Sequence, residues 1–414
     1  MDPGAVTSVL ALTGVLRFTG FMTPGARDRG ATTETLLAAA REELLAVGQA
    51  EFAMEGVARR GFYSIGTVYN RWPDRESLLR DLGGLVVVPT IAQALRAGGD
   101  PAGAISWVLG TGGDDVLLAG EIMLAGHMMP AVRPASLELW DALVAGLAAH
   151  LPQSMAWYVA TYAVGNALLR AIDIDGPDPA TGRVAWLADA SASVASPLAA
   201  TTPIPRLDSV EVPVVPGPER TDDVAMALIG AARILLEAHG AAGTSTRGIA
   251  ASAGVTTGAL YRRYDGKSRL LADVLLTQLQ PDRYTWTWDL VQALASEDPF
   301  SDAATVVANR LIAVADDAPA QKVLLQVGIA ARSDPALRAQ IAERVRIAHA
   351  ARVDMVRHFA ETGVLREDVS PEVFAWGFQA IPVGVRATLP LGVPLHHEVV
   401  SASMAALLRA SSAA

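Results

Sequence analysis

Apolar positions recur at three- and four-residue steps through most of the chain, and alternating, strand-like runs are scarce, so the pattern predicts an all-α fold. The stretch after Asp222 reads most clearly. Val224, Ala227, Leu228, Ala231, Leu235 and Ala238 share one helical face, and Gly240 closes that helix. Ser245 is placed to cap a second, short helix carrying Ile249 and Ala250. Ala253-Gly254-Val255 forms a tight turn, and Thr256 caps a third helix over residues 257–262. Tyr264-Asp265-Gly266 interrupts, and Lys267 opens a fourth helix with Leu270, Leu271, Val274 and Leu275. Further on, residues 336–361 alternate apolar positions with many Arg and Glu, and Asp334-Pro335 and Ser370-Pro371 are natural helix starts.

The same pattern occurs twice. Residues 36–79 laid over 228–271, at a constant offset of 192 and without a gap, are identical at 15 of 44 positions. Among these are Gly48/Gly240, Gly56/Gly248, Ala58/Ala250, Gly66/Gly258, Tyr69/Tyr261, Arg71/Arg263 and Leu78/Leu270. A weaker echo follows, where Ala156-Trp157 and Val164-Gly165 match Ala375-Trp376 and Val383-Gly384 with the same internal spacing. Between the copies, residues 195–222 hold six prolines, and a segment so rich in a residue without an N–H reads as a semi-extended linker. The expected organisation is an N-terminal extension (1–30), a first three-helix domain (31–80), and a first larger helical domain (81–194). The proline-rich linker (195–221), a second three-helix domain (222–280) and a second helical domain (281–414) complete it.

Two short helices joined by a glycine turn make a helix-turn-helix, whose second helix enters the DNA major groove. The run Ile249-Ala250, Ala253-Gly254-Val255-Thr256, Gly258, Leu260-Tyr261, Tyr264, Lys267, Leu270-Leu271 resembles the TetR repressor family over about 50 residues. The resemblance implies two tandem units, each an N-terminal DNA-binding domain followed by a larger domain for ligand binding and dimerisation. It also implies that Thr256, Thr257, Ala259, Tyr261 and Arg262 contact DNA from the recognition helix, and that Tyr261 and Lys267 contact phosphate. Ser245 and Arg247, at the start of the preceding helix, are DNA-binding candidates as well. The residues agree with this: Gly258 and Ala259 allow close approach of the backbone, and Lys267 stands at a helix N-terminus, where free N–H groups favour phosphate.

The first copy departs from the pattern. Ala53 stands where the second copy has the cap Ser245, Glu55 replaces Arg247, and Phe62 replaces the turn glycine Gly254. A bulky residue is costly there if φ is positive, unless Gly61 shifts the turn. Ser64, Thr67, Tyr69, Asn70 and Arg71 remain as recognition-helix candidates, with Trp72 beside them and Arg75 in the lysine position. Whether this copy contacts DNA stays open.

The chain of 414 residues has a net charge of −10, which at first argues against a nucleic-acid partner. Contact is local, however, and residues 222–271 carry six Arg or Lys against four Asp or Glu. With no cysteine, disulfides and thiolate metal sites are excluded. His396 and His397 point about 100° apart on a helix and make a poor metal site. No metal, cofactor or catalytic site is expected: no nucleophile–base pair and no glycine-rich phosphate loop stands at an interpretable spacing, so an enzyme is not the expectation. No uninterrupted apolar run reaches a membrane span. Residues 1–21 lack the basic start of a signal peptide, Met22 is an alternative start, and a cytoplasmic location is expected.

In the larger domains, candidate ligand-binding residues are Trp107, Met123, Met128, Met129, Trp157, Tyr158 and Tyr162 in the first copy. In the second they are Trp286, Trp288, Phe374, Trp376 and Phe378. Such residues at helical spacing also serve simply as core. Few charges accompany them, which points to an apolar effector. The expected function is that of a DNA-binding transcriptional regulator, a repressor released by such an effector. The competing expectation is an interaction protein whose first helix-turn-helix no longer binds DNA. Architecture stays open between an internal pseudo-dimer on an asymmetric operator and a homodimer on a palindrome.

Overall fold

The computed structural model describes residues 29–177, 183–194, 221–278, 286–294, 296–361, 365–366 and 369–411. The N-terminal extension up to residue 28 and nearly all of the proline-rich linker lie outside the described residues. So do the side chains of Trp286 and Trp288. The described chain is helical, with no strand.

The first half opens with α1 (Arg29–Glu51), α2 (Met54–Gly61), α3 (Ile65–Tyr69) and α4 (Arg75–Leu82). A π-helical turn leads into α5 (Val88–Ala97), followed by α6 (Pro101–Ser106), α7 (Gly113–Gly126), α8 (Arg133–Ala148), α9 (Gln153–Arg170) and α10 (Arg183–Val194). The second half repeats the opening with α11 (Asp223–Gly243), α12 (Thr246–Ser252), α13 (Thr257–Tyr261) and α14 (Lys267–Gln278). It continues with α15 (Trp286–Leu294), α16 (Pro299–Asp316), α17 (Ala318–Ser333), α18 (Pro335–Glu361), α19 (Pro371–Thr388) and α20 (His397–Ser411).

The residues matched at offset 192 have matched environments. Leu36 and Leu228, Ala40 and Ala232, Leu44 and Leu236, Val68 and Leu260, and Leu78 and Leu270 are all fully buried. Such pairs are identical or nearly so because close packing tolerates little change of volume. Trp72 and Tyr264 are both buried, and each spends its polar atom on the equivalent aspartate: Trp72 Nε1 donates to Asp81 at 3.0 Å, and the Tyr264 hydroxyl donates to Asp273 at 3.2 Å.

Neither opening helix runs straight to its end. Gly48 (φ 72°) and Gly240 (φ 66°) kink α1 and α11 at equivalent points, a conformation that L side chains rarely adopt. Each kink leaves the next backbone N–H without a helical acceptor, and a helix of the larger domain accepts it. Glu121 takes the Gln49 N–H at 2.8 Å, and Gln326 takes the Ala241 N–H at 2.9 Å.

The stretches Arg75–Ala97 and Asp223–Gly243 have the length and mean hydropathy of a membrane span, which a search for uninterrupted apolar runs does not pick out. Both carry core faces here: Leu78, Leu82 and Ile91 in one, Leu228, Ile229 and Leu236 in the other.

The halves pack through α9 and α10 on one side and α19 and α20 on the other, with α9 against α19 as the largest helix contact. Gly165 on α9 and Gly384 on α19 let the two backbones touch. A Cβ at Gly165 would overlap the Ala380 carbonyl oxygen, and one at Gly384 would overlap that of Thr161. Across this seam Trp376 Nε1 donates to Asn166 at 2.9 Å.

Candidate nucleic-acid interface

In the second half, α12 and α13 form the helix-turn-helix. The Ser245 hydroxyl accepts the Gly248 N–H at 3.1 Å, and that of Thr256 accepts the Ala259 N–H at 3.1 Å, so both residues act as caps. Gly254 supplies the left-handed turn (φ 67°) between them. Because Leu260 is drawn into the core, the opposite face of α13 is left to solvent. Arg247, Thr256, Tyr261 and Arg262 are exposed there, with Thr257 and Ala259 half-buried. The Tyr261 hydroxyl lies 3.4 Å from that of Thr246, which ties the end of α13 to the start of α12. Arg263 turns away from this face to an ion pair with Asp222 at 2.8 Å, the N-cap of α11.

Lys267 points elsewhere than to the open face. Its Nζ donates to the Ala241 carbonyl at 2.8 Å, just past the Gly240 kink. Burial lowers its pKa, and the charge of Asp334 opposes that shift. Arg75 has the equivalent place in the first half, donating to the carbonyls of Gln49 and Phe52, each at 3.4 Å. Both cations thus serve the kinks, satisfying carbonyls that a broken helix leaves open. The resemblance that assigns Lys267 to phosphate does not reveal this bond, because its acceptor is a backbone atom 26 residues earlier.

In the first half α2 and α3 form the second such pair. Ser64 caps α3, accepting the Thr67 N–H at 3.2 Å. Ala53 stands at the N-terminus of α2 with no side-chain cap. Phe62 itself adopts the left-handed turn (φ 58°, ψ 38°), and Gly61 stays in the helix. The strain is not offset by burial, since Phe62 is 95% exposed. With Ile65 and Tyr69 it leaves three large apolar or aromatic side chains on the surface of this motif. Asn70 and Glu55 are exposed as well. Arg71 folds back onto Thr33 (3.1 Å) and the Thr67 carbonyl, as Arg263 folds back in the second half.

The candidate ligand residues separate into groups. Tyr158 of the first half and Phe374 and Phe378 of the second line a cavity of about 180 Å³, most of whose wall comes from the second half. Trp186 of α10 closes it against Phe374 and donates from Nε1 to Ser411 at 2.7 Å. Met123, Met129, Trp157 and Tyr162 are buried in the first half, Trp107 is half-buried, Met128 is exposed, and none of the six lines this cavity. Trp376 lies in the seam between halves, edge-on to His349. Sequence reasoning missed Arg310, Arg352 and Arg386, which also line the cavity and are spread over three helices with no common motif. Trp186, an aromatic in the last helix of its half, was available as a signal. Among the described residues no cluster of three potential metal ligands occurs.

Residues 228–274 match the bacterial regulatory proteins of the tetR family, so the second helix-turn-helix is a DNA-binding domain of that type. Among solved structures, the chain is similar to the repressor of the Stenotrophomonas maltophilia multidrug efflux pump SmeDEF. The two are 24% identical over 38% of this chain and 72% of that one, with a TM-score of 0.28. It is also similar to NalD, the secondary repressor of the MexAB-OprM pump of Pseudomonas aeruginosa, at 18% identity over 46% and 96% of the two chains (TM-score 0.35). A ketosteroid transcriptional regulator of Mycobacterium tuberculosis is 18% identical over 48% and 99% (TM-score 0.32). No curated protein sequence matches the chain.

Proposed function

We propose that this chain is a cytoplasmic, sequence-specific transcriptional regulator made of two fused TetR-like units, and that it is a repressor rather than an enzyme. The observation that carries the reading is the open face of α13, where Arg247, Thr256, Tyr261 and Arg262 surround a helix whose apolar side is fully committed to the core. Small residues at Gly258 and Ala259 allow that helix to sit deep in a groove. The fused-unit reading is supported by the matched kinks, the matched cations Arg75 and Lys267, and the matched aromatic–aspartate bonds. The reciprocal approach of α9 and α19 supports an internal pseudo-dimer, since equivalent surfaces meet as they do in a two-fold pair. The cavity beside Phe374 and Phe378 is the place for a small, mainly apolar effector.

Selection of bound fragments from random DNA, followed by titration across salt concentrations, tests this. A regulator enriches one sequence, and its affinity falls with salt by a slope of about −0.9 per phosphate contact. Binding without sequence preference would sink the reading.

A second reading concerns the first unit alone. Phe62 and Ile65 present apolar surface where the second unit has Gly254 and Thr257, and Glu55 and Asn70 stand where it has Arg247 and Arg262; this favours an apolar partner over phosphate at α3. Footprinting decides it. Protection of two unlike half-sites supports two DNA readers, whereas protection assignable only to the second unit supports the partner.

A further inference from the structure

We propose that a cavity between the two halves is a second ligand site, and that it takes a small amphipathic anion with a single charged head, such as a medium-chain carboxylate. The cavity measures about 220 Å³. Leu124 and Leu168, from α7 and α9, form its wall in the first half; Gly328 and Ile329, from α17, form part of the facing wall. It abuts the cavity beside Phe374 through a shared wall that includes Phe378 and Pro382, whereas Leu124, Leu168, Gly328 and Ile329 line this one alone.

Charge sets the ligand class. Arg332, Arg344, Arg352 and Arg386 line the cavity against a single carboxylate, Glu121; Arg352 and Arg386 also line its neighbour, so Arg332 and Arg344 are what set this cavity apart. That carboxylate is already engaged, paired with Arg332 at 2.9 Å and accepting the Gln49 N–H. Arg344 is half-buried, and the carboxylate next to it in the chain, Glu343, is paired with Arg346 at 2.7 Å. A guanidinium so placed beside leucine and isoleucine side chains favours a carboxylate head joined to an apolar body, because a charged hydrogen bond gains strength where water is scarce.

The site also has a direction of action. Arg332 lines it and donates to the Leu45 carbonyl at 2.7 Å and the Ala171 carbonyl at 2.9 Å. Together with Glu121 it therefore holds the kinked end of α1, which carries the first helix-turn-helix. The second kink is held by the uncharged Gln326, which does not line the cavity. An anion bound here acts electrostatically on the residues that hold the first kink, whereas the second unit meets it only through the apolar side chain of Leu275 on α14.

Calorimetric titration of the full chain with decanoate and with 1-decanol tests the site. Gly328→Leu fills the cavity: a Cβ at that helical position meets no atom within 4 Å, so the side chain starts into open space. Leu408→Trp obstructs only the neighbouring cavity. The expected result is that decanoate binds the wild type and Leu408→Trp, while Gly328→Leu, by occupying the space the alkyl chain needs, weakens it about tenfold or more. Arg344→Met should erase the preference for decanoate over 1-decanol. The proposal is overturned if decanoate fails to bind the wild type, if Gly328→Leu binds it unchanged, or if only Leu408→Trp loses it. Should Gly328→Leu fail to fold, the decanoate-to-decanol ratio of Arg344→Met decides alone. Selection of a DNA site is unaffected by any of these outcomes.

Discussion

Gly165 and Gly384 occupy equivalent places on α9 and α19, and each lies against the backbone of the other's helix: Gly165 on Ala380, Gly384 on Thr161. The same offset, 219, relates the two glycines and the two residues they touch. The contact between halves is therefore reciprocal, and it exists only because both positions lack a side chain.

Substituting either glycine should push the halves apart. Gly165→Leu and Gly384→Leu are each expected to destabilise by about 3 kcal/mol, the upper range for overpacking, because the obstruction is backbone. Gly230→Ala, in a helix with open space around it, is the control and should gain about 0.8 kcal/mol. Urea unfolding midpoints measure all three. Equal stability of the leucine variants and the control would refute the tight seam.

His127 makes this seam sensitive to acid. Its Nε2 lies 2.8 Å from the Ala387 carbonyl. Burial, aided by the charges of Lys322 and Arg133 and opposed by the bond to Ala387, lowers its pKa from 6.5 to about 4. The unfolded chain thus takes up this proton at higher pH than the folded one. Stability is fully present above pH 6.5 and declines as pH falls toward 4, by an amount on the order of 3 kcal/mol. Unfolding measured at pH 7.5 and pH 5 should reveal the loss, and His127→Gln should remove most of it.

In the pair Arg332–Glu121 the carboxylate is buried and the guanidinium is largely covered. Burial raises the pKa of Glu121, and the charge of Arg332 with the Gln49 N–H holds it down. Arg332→Met leaves the carboxylate alone and is expected to cost about 3–5 kcal/mol. Adding Glu121→Gln should recover much of that, since Gln326 already holds the equivalent kink as an amide. A denaturation double-mutant cycle without recovery would mean that Arg332 acts only through the carbonyls of Leu45 and Ala171.

Phe62 is strained and unburied, so Phe62→Gly should stabilise the chain by about 0.5–1 kcal/mol, the left-handed penalty less the added freedom of the unfolded state. A higher thermal midpoint is the expected reading. A lower one would show that the ring packs on a surface that matters for folding.

Much of the local architecture was legible from residue order. The repeat at offset 192, the caps Ser245 and Thr256, the core place of Tyr264 and the glycine turn at Gly254 all depend on neighbours within one or two helical turns, where periodicity and capping chemistry act. Phe62 shows where this reasoning ends. The sequence left it open whether Phe62 or Gly61 would bear the turn, and packing of α2 decided for Phe62. Trp376 was legible as an aromatic at helical spacing but not as a partner of Asn166, because the two are 210 residues apart.

What the sequence by itself determined is the all-helical fold and the helix-turn-helix of residues 245–262 with its caps and turn, since each follows from hydrophobic period, small-residue spacing and turn chemistry. Tertiary structure alone decided that Lys267 and Arg75 close kinks, that Glu121 and Gln326 hold equivalent N–H groups with unequal charge, and that α9 meets α19 at matched glycines. It alone gathered Arg310, Arg352 and Arg386 around one cavity. These relations join backbone atoms and side chains far apart in the chain. No local pattern encodes them, because they come into being only when the halves pack.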